Sequence, residues 1–247
     1  MIDGFDLGAV LWTASVWVLP VLFAITLHEA AHGYVAWRLG DDTAYRLGRV
    51  TFNPLKHIDR FGTVVLPALL LLIRSPIVFG FAKPVPVNFA RLRQPKRDMI
   101  WVALAGPGVN IGLALFSTWL LRFVYLLPGP LAQWTALTLV ASLLINVILA
   151  VFNMLPLPPL DGGRVAVGLL PRWLALPLAR LERWGLFIII GVLFLPHLVG
   201  KIFGIDLHIF FWLVWVPSTF VIRGITSIAG VDHELIGQSL ALLLGLG

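Results

Sequence analysis

The stretch His28-Glu29-Ala30-Ala31-His32 holds the densest set of chemistry-bearing side chains in the chain. Two histidines four residues apart stand one turn apart on one helix face, so both imidazoles can reach a single metal ion. Glu29 is turned about 100° from His28, beside the ion rather than on it, where a carboxylate can take a proton from metal-bound water. Between Val10 and Ala36 these three are the only acidic, basic or imidazole side chains. Ionisable groups in so apolar a helix are costly and mark function. A lone histidine there would read as an interhelical hydrogen bond; two with a glutamate between them read as a metal site. The chain has no cysteine, so any metal must be held by His, Asp, Glu, carbonyl or water.

Two histidines leave a catalytic zinc site one protein ligand short. The candidate is Asp161, in the run Phe152-Asn153-Met154-Leu155-Pro156-Leu157-Pro158-Pro159-Leu160-Asp161-Gly162-Gly163-Arg164. Three prolines break a helix here and fix a turn, and the paired glycines permit close backbone approach. Asp161 also has two plainer readings, as the cap of a following helix or as the partner of Arg164. Which applies depends on whether Asp161 reaches the same membrane face as the histidines.

The elements that must position these groups are set by composition. Of the 247 residues, 59% are hydrophobic and only 12% charged, and the mean hydropathy is +0.94. A soluble domain carries about a quarter charged residues, so an ordinary globular enzyme and a disordered chain are both excluded and a polytopic membrane protein remains. The net charge of +6 does not point to nucleic acid, because the basic residues flank apolar helices, where they set orientation. The start, MIDGFDLGAV, is acidic and lacks a basic n-region, so no signal peptide is expected.

Five stretches are long enough to span, near 8–39, 99–127, 131–155, 184–200 and 207–222. A sixth, Thr63 to Ile73, is short, is interrupted by Pro67 and is followed by Arg74-Ser75-Pro76. If it does not cross, 16 of the 18 Lys and Arg residues share one side, with only Arg122 and Lys201 opposite. If it crosses, the bias disappears. Cytoplasmic loops carry the excess, so the expectation is a re-entrant segment, an outside N-terminus and a cytoplasmic C-terminus. Asp161 then lies on the same face as His28 and His32. His32 is six residues before Arg38, roughly 9 Å of helix below the cytoplasmic surface. The expected fold class is an all-α polytopic membrane protein with about five transmembrane helices, the re-entrant segment and a short membrane-associated β-hairpin. The hairpin strands are Gly48–Pro54 and Phe81–Asn88, the second at an edge because Pro84 and Pro86 cannot donate. Residues 164–183 read as an interfacial connector.

Together these residues resemble the site-2 protease family of intramembrane zinc metalloproteases. The resemblance rests on His28-Glu29-Ala-Ala-His32 in an apolar helix, on Ala105-Gly106-Pro107-Gly108-Val109-Asn110 in the next span, and on Asn153…Pro156-Leu-Pro158…Leu160-Asp161-Gly162-Gly163. It runs from about residue 20 to 171. It is nearest to small bacterial and archaeal members carrying Gly48-Arg…Asn53-Pro54…His57-Ile58-Asp59 and Ala82-Lys-Pro-Val-Pro-Val-Asn88. It implies one Zn2+ held by His28, His32 and Asp161, with Glu29 as general base and acid and Asn153 positioning substrate or the oxyanion. No stretch is long or polar enough for a PDZ or nucleotide-sensing domain. The chain then reads as one membrane-embedded peptidase domain, 1–247, with core 8–171 and accessory helices in 172–247. It would hydrolyse peptide bonds within or next to transmembrane segments of membrane-protein substrates, in the cytoplasmic membrane with the site near the cytoplasmic face.

Two rivals keep part of this: a metal-binding transporter or sensor, and a non-catalytic scaffold for a partner's transmembrane helix. A transport path wants ionisable groups on several spans, whereas here they cluster at one depth. Asn110 could bond substrate or glue helices, Asn146 leans structural, and His57 reads as a surface-loop histidine. His197, His208 and His233 lie near span ends and take no role. The run Lys83–Asn88 could pair with an unwound substrate by strand addition or be an ordinary interfacial hairpin.

Overall fold

The computed structural model describes residues 7–72, 80–203 and 208–244, and among these there is no strand. Three long apolar helices form the centre: α1 (Leu7–Arg38), α4 (Pro95–Leu121) and α5 (Gly129–Asn153). Short helices α2 (Thr43–Arg46) and α3 (Leu66–Leu72) lie between the first two. α4 and α5 each open with a proline in the first turn, where its missing N–H costs nothing. α5 stops at Asn153, just before the Pro156, Pro158 and Pro159 run that cannot continue it. After it come α6 (Asp161–Leu169), α7 (Arg172–Arg180) and α8 (Gly185–Phe203). A π-helical turn, Phe211–Trp215, leads into α9 (Val216–Ala229), and α10 (His233–Leu244) follows.

Four helices among the described residues are long and apolar enough to span a membrane: Leu11–Arg38, Pro95–Leu121, Gly129–Asn153 and Phe211–Ala229. The core forms where α5 presents Val140, Leu143, Leu144 and Val147 to Ala114 of α4, Ile222 and Ile225 of α9 and Ile236 of α10. Large apolar side chains such as Phe23, Phe116, Trp119 and Phe220 point outward, as a lipid-facing surface requires.

The expected span at 184–200 falls on the 19-residue helix α8, which is not one of these four and whose Ile189 packs with Leu160. The last span corrects the count of five alternating crossings. Arg122, at the C-terminal end of α4, donates from Nη1 to the Ala229 carbonyl at 3.4 Å. The end of α9 therefore lies with the end of α4, and the two helices run parallel. Five alternating crossings would make them antiparallel and put the C-terminus with the Arg38 side. Hydropathy carries no signal for this direction.

The expected hairpin is also corrected. Residues 81–88 run extended, but their N–H groups find loop carbonyls and carboxylates rather than a second strand. Phe81 donates to Gly62 (3.0 Å), Lys83 to His57 (2.9 Å), Val85 to Glu29 (2.7 Å) and Asn88 to Asp41 (2.6 Å). The other edge holds Pro84 and Pro86, which cannot donate. Residues 48–54 form a turn at Gly48 and a cap at Asn53, whose Oδ1 accepts from Leu55 N. Phe81 beside Gly62 also means that the chain from Thr63 onward leaves and returns at one place. Ile73 to Phe79 lie outside the described residues.

Candidate metal centre

α1 carries the pair one turn apart, as its period dictates. The Nε2 atoms of His28 and His32 are 3.0 Å apart. Asp161 arrives from the first turn of α6. Its Oδ2 lies 3.2 Å from His28 Nε2 and 3.3 Å from His32 Nε2. All three side chains are buried and could hold one metal ion. The close approach is made by glycines. A Cβ on Gly162 would fall 2.2 Å from the Met154 carbonyl oxygen, and one on Gly163 2.3 Å from Pro158 N. Only residues without a side chain let α6 start so tightly on the proline loop, which brings Asp161 to α1. Gly106 of α4 does the same from the other side, since its Cβ would lie 2.4 Å from His32 Nε2 and 2.6 Å from His28 Nε2.

The other ring nitrogens are committed. His32 Nδ1 donates to the Val102 carbonyl at 2.7 Å, which can only accept. His28 Nδ1 lies 2.6 Å from Asn110 Oδ1. With both protons on Nδ1, each Nε2 presents a lone pair. Asp161 Oδ2 has no hydrogen-bond partner. Three lone-pair atoms face one another at 3.0–3.3 Å with no proton between them, which is repulsive unless a cation stands there. Ligands on a tetrahedral zinc, with bonds near 2.0–2.2 Å, sit about 3.3 Å apart, so the triangle fits that ion.

Glu29 stands half-buried beside this group, one oxygen accepting from Val85 N at 2.7 Å. Asn153 is the last residue of α5, and its Nδ2 donates to Leu149 of its own helix at 3.0 Å, not to the His28–His32–Asp161 group. Neither plain reading of Asp161 applies: Leu160 caps α6, and Arg164 pairs with Glu182 at 2.9 Å while lying over the Phe89 ring. His57 is not at the surface. It is 2% exposed, with Nε2 donating to the Thr51 carbonyl at 3.1 Å. Sequence reasoning missed Val102, whose carbonyl has no sequence signal, and the Val85 N–H. It marked Asn110 but not its contact with His28.

The profile of peptidase family M50 matches residues 122–196, a stretch that includes Asn153 and Asp161. The chain is 40% identical over 185 residues to the Bacillus subtilis protein named "Putative zinc metalloprotease YwhC", covering 73% of this chain and 80% of that one. It is 29% identical over 205 residues to the Mycolicibacterium smegmatis protein of the same description, Rip2, covering 77% and 76%. A third, MJ0611 of Methanocaldococcus jannaschii, matches at 44% over 64 residues, 26% of this chain and 31% of that one. No solved structure matches the chain. A buried group of two histidines on a membrane-length helix and one carboxylate from α6, joined to these matches, shows that the chain belongs to peptidase family M50, the site-2 protease family, and is a zinc metalloprotease.

Proposed function

We propose that the enzyme is an intramembrane endopeptidase, cutting peptide bonds within or next to transmembrane segments of membrane-protein substrates from a site near the cytoplasmic face of the cell membrane. The observation that carries this is the position of the candidate ligands. His28 and His32 lie inside a helix long and apolar enough to span, and Asp161 closes the group from the first turn of α6.

In this reading His28, His32 and Asp161 hold the zinc. A zinc ion bound there supplies a Lewis acid that acidifies water and polarises a carbonyl. Glu29 accepts the proton from the attacking water and returns it to the leaving amine. One Glu29 oxygen is tied to Val85 N–H, which leaves the other to carry that proton. Asn153 steadies the substrate carbonyl from the end of α5. A transmembrane helix hides its peptide bonds in its own hydrogen bonds, so the substrate must unwind locally, and Gly, Pro or Asn near the cut assists.

Positive charge supports the cytoplasmic face. With α9 parallel to α4, four crossings remain, and Lys201 and Arg223 exchange sides. The count stays at 16 Lys and Arg on the side of Arg38 against Arg122 and Arg223 opposite. The return of the chain at Phe81 to Gly62 supports a re-entrant reading of the segment that begins at Thr63. The test is Glu29→Gln in the full-length protein, assayed on a membrane-peptide substrate. Zinc content at the wild-type level with cleavage abolished is expected. Cleavage at the wild-type rate would remove Glu29 from the reaction and return the site to transport or scaffolding.

A further inference from the structure

Asn110 sits on α4, fully buried, with Asn146 of α5 beside it at 1% exposure. Its Oδ1 is 2.6 Å from His28 Nδ1, and its Nδ2 is 3.2 Å from the Ala24 carbonyl and 2.8 Å from Asn146 Oδ1. Neither amide is free to turn over. The Ala24 carbonyl only accepts, so the group of Asn110 that faces it is the NH2. Asn146 donates from its own Nδ2 to the Ser142 carbonyl at 2.8 Å, so its oxygen faces Asn110. Flipping either amide would set carbonyl against carbonyl among fully buried groups. Both Asn110 donors are thereby spent, and only its Oδ1 remains for His28. His28 must meet it with a proton on Nδ1, which leaves Nε2 bare.

We infer that Asn110 and Asn146 are positioning residues. They form a one-way hydrogen-bond relay from the Ser142 carbonyl through Asn146 and Asn110 to His28, which fixes the Nδ1–H tautomer and so sets the affinity of the site for zinc. The relay crosses α5, α4 and α1, tying the tautomer of one ligand to the packing of all three helices. The inference rests on His28 being a zinc ligand. Loss of the acceptor lets His28 populate the Nε2–H tautomer, which cannot ligate. Removing such an outer partner weakens metal binding about 10- to 100-fold.

The test uses the full-length protein in detergent or nanodiscs, with zinc affinity from competition against a chromophoric chelator. The second readout is the 15N spectrum of histidine-labelled, metal-free protein at about pH 8, above the usual histidine pKa. Asn110→Leu is expected to bind zinc 10- to 100-fold more weakly and to show mixed His28 tautomers where the parent shows Nδ1–H alone. Asn146→Leu, which touches no ligand, is expected to shift both readouts the same way by less. It also serves if Asn110→Leu does not fold. Unchanged affinity and a single Nδ1–H tautomer in either variant would overturn the relay. His28→Ala separates the two readings. If it retains zinc, the ligand assignment fails, whereas its loss of zinc beside normal binding in Asn110→Leu sinks the relay alone.

Discussion

Gly106→Ala adds one methyl group at the most crowded point of the site. That methyl would stand 2.4 Å from His32 Nε2 and 2.6 Å from His28 Nε2 and Cε1, where ordinary contact is 3.4–4 Å. The rings must therefore retreat by about 1 Å, against a zinc-site tolerance of about 0.2 Å. They cannot retreat freely, because Nδ1 of His32 is held by Val102 and Nδ1 of His28 by Asn110. Overpacking of this kind costs about 1–3 kcal/mol, and strain of that size borne by the metal-bound geometry lowers affinity about 5- to 150-fold. Zinc per chain after dialysis and a competition titration measure the loss. Thermal melting with a chelator present checks the fold. Low zinc is expected beside a chelator-state melting temperature close to the parent's. An alanine variant that binds one zinc with wild-type affinity would refute the packing described around the ligands.

The proline loop gives a second test. Gly162→Ala sets a methyl 2.2 Å from the Met154 carbonyl oxygen, so Asp161 should be pushed from the histidines and zinc content should fall; retained zinc would show that the loop yields. Asp41 is fully buried and accepts from Asn88 N and from Thr43 N and Oγ1. Asp41→Ala should cost about 1–3 kcal/mol through stranded donors and loosen the 81–88 run that holds Glu29. The expected result is a lower kcat at unchanged zinc content, and a normal kcat would unlink that run from the general base. The chain has no cysteine, so single cysteines replacing Arg46, Arg93 and Arg172 should label from the cytoplasm and those replacing Tyr125 and Gln238 from the opposite side. Labelling of position 238 together with 172 would restore an odd number of crossings.

What could be read from the chain was whatever a local rule dictates. Helix period alone puts His28 and His32 on one face and Glu29 beside them. Proline and glycine punctuation marks the end of α5 and the tight start at Asp161. Charge counting then brings Asp161 to the histidines' face, and the 3.2–3.3 Å separations agree. What could not be read depends on rotation and packing between distant elements. Asn110 faces His28 because of how α4 turns against α1, and no spacing within one helix encodes that. The Val85 N–H and the Val102 carbonyl are backbone groups, identical in every residue. The run 81–88 has strand composition, yet Glu29, Asp41 and loop carbonyls satisfy its donors. Hydropathy finds α9 but not its direction, which shows only where Arg122 at the end of α4 meets the Ala229 carbonyl.

Metal analysis of the purified protein against Asp161→Ala bears most directly on the three-residue zinc site. One zinc per chain is expected in the parent, and near none in the variant, since two imidazoles alone do not complete the site. Equal zinc in both would contradict it, because a carboxylate 3.2 Å from one ligand nitrogen and 3.3 Å from the other would then be a bystander.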